Sequence, residues 1–162
     1  MTIDSQSFRD ALRHYPAGVT IVTVLTPEGR RGMTVSAFAS VSPQPPLVTV
    51  ILDSKSTLHG LLDEGVVDSF AVNVLAADQA ELSQRFAFVK DQDRFALGEW
   101  TTAETGAPVL ANALAWLDCR LHTKVRAGTH SLFVGEVVAS QVPRPDEKPL
   151  VYWNRDYRRI EP

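Results

Sequence analysis

Cysteine is nearly absent: Cys119 is the sole one among 162 residues. No disulfide can form within the chain, so the fold does not depend on an oxidising compartment. Long apolar runs are missing as well. No stretch approaches the roughly 20 residues that a membrane helix needs, and residues 1–7 carry neither the basic start nor the apolar centre of a secretory leader. A cytoplasmic location without membrane attachment is the expectation. Neither sign of charge is in large excess, with 16 Lys and Arg against 19 Asp and Glu, a net charge of −3 and a pI near 5.8. With no basic run and no interleaving of basic and aromatic residues, nucleic-acid partners are not expected. Arg155, Arg158 and Arg159 near the end read as a solvated face.

Several chemistry-bearing motifs are also missing. The chain has no Gly-x-Gly-x-x-Gly after a strand, no Gly-x-x-x-x-Gly-Lys-Ser/Thr, no Gly-x-Ser-x-Gly and no Cys/His cluster at zinc spacing. A Rossmann or P-loop reading fails, and no metal ligands are expected. A nucleotide bound here must be held by other means.

What is present suits one domain spanning residues 1–162, with 44% hydrophobic and 22% charged residues. Residues 4–15 place Phe8, Ala11, Leu12 and Tyr15 on one helical face, with Asp4 or Ser5 as cap and Pro16 as stop. The β-branched run in residues 18–26 predicts a strand, closed by a turn at Pro27, Glu28 and Gly29. Pro43, Pro45 and Pro46 make a stiff connector into an apolar strand over residues 47–52. A short helix carries Leu58, Leu61 and Leu62, and residues 70–75 read as a strand. Asp78-Gln79-Ala80-Glu81 resembles a capping box for a helix through Phe86, and residues 87–105 read as a long loop. Residues 115–125 alternate, with Ala115, Leu117, Cys119, Leu121 and Val125 on one face and Asp118, Arg120, His122 and Lys124 on a wet one. A turn over residues 127–130 leads to a last long strand over residues 132–142. Many strands with short turns and few helices predict a mainly β protein, an antiparallel barrel with peripheral helices.

Two segments stand out for chemistry. Residues 34–42 mix small apolar and hydroxyl side chains, which lets a flat aromatic ligand approach the backbone while Ser36, Ser40 and Ser42 hydrogen-bond its polar edge. Lys55, Ser56 and Thr57, at a helix start, offer a charge, hydroxyls and free N–H groups to a phosphate. The plainer readings are a barrel strand with one solvated face and a helix cap. His14, His59, His122 and His130 read, residue by residue, as ordinary hydrogen-bonded histidines.

In order and spacing the chain resembles the flavin reductase family, the reductase components of two-component flavin-dependent monooxygenases, whose fold is the FMN-binding split barrel of antiparallel Greek-key type. The resemblance runs from Phe8 to Tyr157. It rests on Pro16-Ala17-Gly18-Val19, Gly32-Met33-Thr34-Val35-Ser36-Ala37-Phe38 with Ser40 and Ser42, Lys55-Ser56, Phe70-Ala71-Val72-Asn73-Val74-Leu75, Leu132-Phe133-Val134-Gly135-Glu136-Val137, and Leu150-Val151-Tyr152 with Arg155 and Tyr157. It implies an enzyme that reduces FMN or FAD with NADH, or alternatively NADPH, by hydride transfer from nicotinamide C4 to flavin N5. Thr34, Val35, Ser36 and Ala37 are implied to line the isoalloxazine and ribityl chain, with Ser40, Val41 and Ser42 alongside. Lys55, Ser56 and Thr57 are implied at the flavin phosphate, and Pro16, Ala17, Gly18, Arg85, Phe86, Tyr152 and Arg155 elsewhere in the cofactor site. His130 is implied beside the nicotinamide. The family usually shows Gly-Asp-His before this strand, whereas here Thr129 replaces the acid. A homodimer with flavin near the subunit interface is implied too, with Trp116 and Trp153 as apolar surface. So is a partner monooxygenase that receives reduced flavin by diffusion.

Other readings on the same barrel are a non-enzymatic flavin carrier or sensor, which would not need His130, and a relative of pyridoxamine-phosphate oxidase. The latter's basic signature for the vitamer phosphate is not apparent.

Overall fold

The computed structural model describes residues 1–89 and 93–161. Asp4 opens helix α1 (Ser5–Leu12), its carboxylate accepting the free N–H groups of Gln6 and Ser7 at 2.8 and 2.9 Å. The helix stops three residues before the expected end. His14 and Tyr15 donate only three residues back, to Ala11 and Leu12, because Pro16 keeps the residue before it out of the helical region.

Strand β1 (Ala17–Gly18) follows, then β2 (Thr20–Thr26) and β3 (Gly29–Val35) around a turn at Pro27 and Glu28. Gly29 sits at φ +120°, where a side chain is strained. Next come β4 (Phe38–Pro43), β5 (Pro46–Asp53), α2 (Thr57–Asp63), β6 (Ser69–Val74) and α3 (Ala80–Phe88). The chain closes with β7 (Trp100–Thr102), β8 (Pro108–Leu110), β9 (Ala115–Ala127), β10 (His130–Gln141), β11 (Val151–Trp153) and β12 (Asp156–Arg158).

Seven strands form one antiparallel sheet in the order β3-β2-β6-β9-β10-β5-β4. Its two edge strands, β3 and β4, are consecutive in the chain, so the sheet curls until residues 36–37 span from one edge to the other. Inside the curl, Val22, Val24, Val50, Leu52, Phe70, Val72, Cys119 and Phe133 form a core. A second core lies on the other face, where Val19, Ile21, Leu75, Leu82, Phe86, Leu110 and Leu150 pack together. Strand β2 serves both cores, its side chains alternating between them with the two-residue period of a strand.

Three expectations need correction. The segment read as a long loop contains a 3₁₀ turn, Arg94–Ala96, and the β7–β8 hairpin; Lys90, Asp91 and Gln92 of that segment lie outside the described residues. Three-residue strands are too short to show a period in sequence, and buried polar side chains of the main sheet hold the hairpin. The Asn73 amide donates to Ile21 O at 3.1 Å and its carbonyl accepts Leu110 N–H at 2.7 Å, while the Thr23 hydroxyl donates to Pro108 O at 2.5 Å.

Asp118 is fully buried rather than wet, because residues 103–107 cover that face of β9. Its carboxylate accepts the N–H and hydroxyl of Thr105 at 2.8 and 2.5 Å. The expected capping box does not form either. Gln79 is the residue before α3, but its side chain reaches Ala76 N–H and Asn112 O, both at 2.9 Å, and Asp78 makes a two-pronged pair with Arg144. Partners distant in sequence outcompete the local ones.

Gly135 on β10 faces the inner core, where an added Cβ would lie 2.6 Å from Phe70 Cζ and 2.8 Å from Cys119 Cβ. Gly135→Ala is expected to cost about 1–3 kcal/mol through overpacking, measured by urea unfolding. Burial, with a smaller contribution from Asp118, pushes the Cys119 thiol from an ordinary 9.0 up to about 12. In the folded protein it is expected to resist a disulfide reagent at pH 8 and to react once urea unfolds the chain. The unfolded thiol loses its proton first as pH rises, so this contribution to stability falls between pH 9.0 and about 12. The comparison of wild type with Cys119→Ala over that range isolates it.

Candidate functional site

Strand β5 brings the candidate segments together. On one side Ile51 N–H donates to Ala37 O at 2.9 Å, and on the other Ile51 pairs with Leu132 and Asp53 with His130. Just past its end, Ser54 N–H donates to Thr129 O at 2.9 Å, and Lys55, Ser56 and Thr57 follow. Three segments far apart in sequence, residues 36–37, 54–57 and 129–130, therefore converge at one end of one strand.

The local chemistry explains each placement. Asp53 makes a turn of its own, its carboxylate accepting Lys55 N–H at 2.9 Å and its carbonyl accepting the Ser56 hydroxyl at 2.8 Å. Ser56 also caps α2 by accepting His59 N–H at 3.3 Å, so its hydroxyl already serves the fold. Lys55 and Thr57 are exposed. His130 is exposed, with Nδ1 3.0 Å from the Thr129 hydroxyl, at the position where the resembled family usually has an acid.

At the corner between the two edges, Ser36 and Ala37 are exposed, as are Ser40 and Val41. A bulge between Ser40 and Ser42 turns Val41 outward. Val35 departs from the expectation: its side chain belongs to the inner core, leaving only its backbone for a ligand. Thr34 donates its hydroxyl to Ser83 O at 2.6 Å, and the Ser42 hydroxyl accepts Gln44 N–H at 3.1 Å. Those two hydroxyls serve the packing of α3 and the β4–β5 turn.

Beside this convergence lies a groove of about 990 Å³, at the upper end of the roughly 300–1,000 Å³ typical of small-molecule sites. Thr34, Lys55, Ser56, Thr57 and Phe86 from the expected set line it. Arg30, Arg31, Met33, Arg94 and Phe95 line it too and were not foreseen. The adjacent Arg30-Arg31 pair beside Gly32-Met33 was the signal available in sequence; Arg94 and Phe95 lay in the segment read as a loop. Gly32 lets Phe86 close in, since a Cβ there would stand 2.9 Å from Phe86 Cε1.

Arg85 has another task than lining this groove. Its guanidinium donates to Arg94 O at 3.1 Å and Asp93 O at 2.7 Å, while Arg94 donates to Val89 O at 2.8 Å and Gly32 O at 2.7 Å. These bonds fix the groove wall. Pro16, Ala17, Gly18, Tyr152 and Arg155 gather elsewhere, and none of them lines the groove. Ala17 pairs with Tyr152 and Gly18 with Val151, Tyr152 meets Tyr157 edge-on at 5.6 Å, and Tyr157 hydroxyl lies 2.8 Å from Ser83 hydroxyl. Arg155, at φ +65°, approaches Asp10 at 4.0 Å.

A flavin fits this geometry: an exposed corner of small residues for the ring edge, and Lys55 with the Thr57 hydroxyl for its phosphate. Among the described residues no group of three or more His, Cys, Asp or Glu is placed to hold a metal ion.

Comparison with known proteins agrees with the resemblance. The family model described as "Flavin reductase like domain" matches residues 12–161. The FMN reductase (NADH) RutF of Ancylobacter novellus is 39% identical over 160 residues, 98% of this chain and 86% of that protein. The reductase component of the FADH(2)-dependent resorcinol hydroxylase of Rhizobium sp. is 39% identical over 160 residues, 97% of this chain and 88% of that protein. The solved structure of the NADH:FAD oxidoreductase SgcE6 of Streptomyces globisporus C-1027 superposes with a TM-score of 0.90 at 34% identity, over 100% of this chain and 98% of that one. A match from residue 12 to residue 161, on an antiparallel barrel with a flavin-sized groove at its corner, shows that this chain belongs to the flavin reductase family.

Proposed function

We propose that this chain is an NADH-dependent flavin reductase that reduces FMN or FAD and supplies the product to a partner monooxygenase. The observation that carries the site is the meeting of residues 36–37, Lys55, Thr57 and His130 at the end of β5. The naming of one relative as the reductase component of a hydroxylase supports the partner's class, and the lone buried Cys119 suits work in the cytoplasm.

When both cofactors are bound, hydride passes directly from nicotinamide C4 to flavin N5, so the protein's part is placement. Ser36, Ala37 and Ser40 present small side chains and backbone to the ring, with Thr34, Val35, Val41 and Ser42 holding the shape of that corner. Lys55 and Thr57 hold the phosphate, with Ser56 keeping the turn in place. Backbone N–H groups of the corner would stabilise the negative charge that reduction places on a bound ring's edge. His130 orients the nicotinamide, and the Thr129 hydroxyl holds its ring without adding a charge. Phe86 closes the groove beneath Gly32. Arg85 acts through the groove wall. Pro16, Ala17, Gly18, Tyr152 and Arg155 act at the second cluster, where the packing of β1 against β11 positions them.

A second copy of the chain completes the particle. Helix α1 buries none of its residues, yet Phe8 and Leu12, one turn apart on it, are 52% and 53% exposed, and Tyr15 just past its end is 75% exposed. An apolar face of this kind marks an interface.

Three outcomes are expected. Nicotinamide absorbance is lost when protein, NADH and free FMN or FAD are mixed anaerobically, and not when flavin is omitted; bound flavin with no NADH consumed would make the protein a carrier. His130→Ala lowers kcat/KM for NADH on the order of tenfold, equivalent to about 1.4 kcal/mol, with flavin affinity unchanged. Light scattering gives a dimer mass at micromolar concentration, and the Phe8→Glu/Leu12→Glu double variant shifts it to a monomer.

A further inference from the structure

The groove continues past the residues that a flavin ring and one phosphate require. Along β3 it runs from Thr34 back to Arg30, and with about 3.3 Å of rise per residue the strand offers about 13 Å between those two residues. At the far end the Arg30 guanidinium lies over the Phe95 ring, 4.7 Å from its centre. Phe95 is buried and Arg30 exposed, so the guanidinium rests over the phenyl ring and still reaches solvent.

The neighbouring charges have other duties. Arg31 lies 3.8 Å from Glu28, Arg94 is committed to two carbonyls, and Asp93 caps the 3₁₀ turn by accepting Phe95 N–H at 2.9 Å. Arg30 has no side-chain hydrogen bond or ion pair among the described residues. A guanidinium seated over an aromatic ring, with no hydrogen-bond or ion-pair partner among the described residues, is a surface on which a nucleobase can stack.

Building on the flavin reductase reading, we propose that Arg30, seated on Phe95, stacks the adenine of FAD and so makes this chain select FAD over FMN. FAD and FMN share the ring, the ribityl chain and the first phosphate, so a contact at Arg30 separates them without touching the reacting atoms. NADH also carries adenosine diphosphate. The groove's continuity with Lys55 and Thr57 assigns the Arg30 end to the flavin.

The test compares wild type, Arg30→Ala and Arg30→Lys in steady-state kinetics with FAD and FMN, and in direct flavin binding without NADH. The expected result is tighter binding of FAD than of FMN by wild type, and a rise of about tenfold in the Kd and KM for FAD in both variants. The FMN constants and kcat stay the same. Lysine keeps the charge and loses the plane, so a lysine variant that retains the FAD preference overturns the stacking. A parallel loss for both flavins shows that the Arg30–Phe95 pair only supports the groove, a change confined to KM for NADH gives the subsite to the nicotinamide cofactor, and unchanged constants leave Arg30 without a role; each overturns the proposal. Wild type that binds FAD over FMN but consumes no NADH refutes the reductase reading and leaves the subsite standing.

Discussion

The whole structure depends on one topological constraint: the two edges of the seven-stranded sheet are neighbours in the chain. Strand β3 ends at Val35 and β4 begins at Phe38, so two residues must span from one edge to the other. The sheet meets this demand by curling, and the curl creates an interior that side chains of period two fill. Ser36 and Ala37 stand at that corner and are exposed. Their small side chains leave backbone accessible to a flat ligand.

From this constraint the site follows. Strand β5 is paired on both sides, with β4 and β10, so its end fixes the corner, the Lys55 turn and the His130 turn in one frame. The frame consists of backbone hydrogen bonds, which position groups more firmly than long side chains do. For a reaction in which two cofactors exchange hydride directly, such positioning is the protein's main contribution. The groove wall opposite is built differently: Arg85 and Arg94 tie residues 89, 93 and 94 to β3 through carbonyls, and Phe86 packs where Gly32 leaves room.

Much of this was legible in the sequence where a pattern is repeated often enough to be read. The β-branched residues of β2 and the alternation around Cys119 each announce their strand, and the small-residue run from Thr34 to Ser42 announces a segment that the structure divides into the end of β3, a corner and β4. Shorter or more distant relations did not announce themselves. The β7–β8 hairpin has three residues per strand and is held by Asn73, Thr23 and Asp118 from elsewhere in the chain. Asp118 lies two residues before exposed Arg120 on the face read as wet, and its burial follows from the loop that covers it. The capping box at Asp78 and Gln79 failed because Arg144 and Asn112 offered both side chains better partners.

The sequence by itself determined the longer strands, the antiparallel barrel and most of the segments that carry the chemistry, because side-chain period, turn residues and short motifs are local properties. Tertiary structure alone decided which of those segments meet. It put Thr34, Lys55 and Phe86 on the groove and Tyr152 and Arg155 away from it, turned Val35 inward, and placed Arg30 on Phe95, 65 positions further along the chain. Such contacts depend on strand order and register, which arise from the packing of the whole chain and are encoded in no single stretch of it.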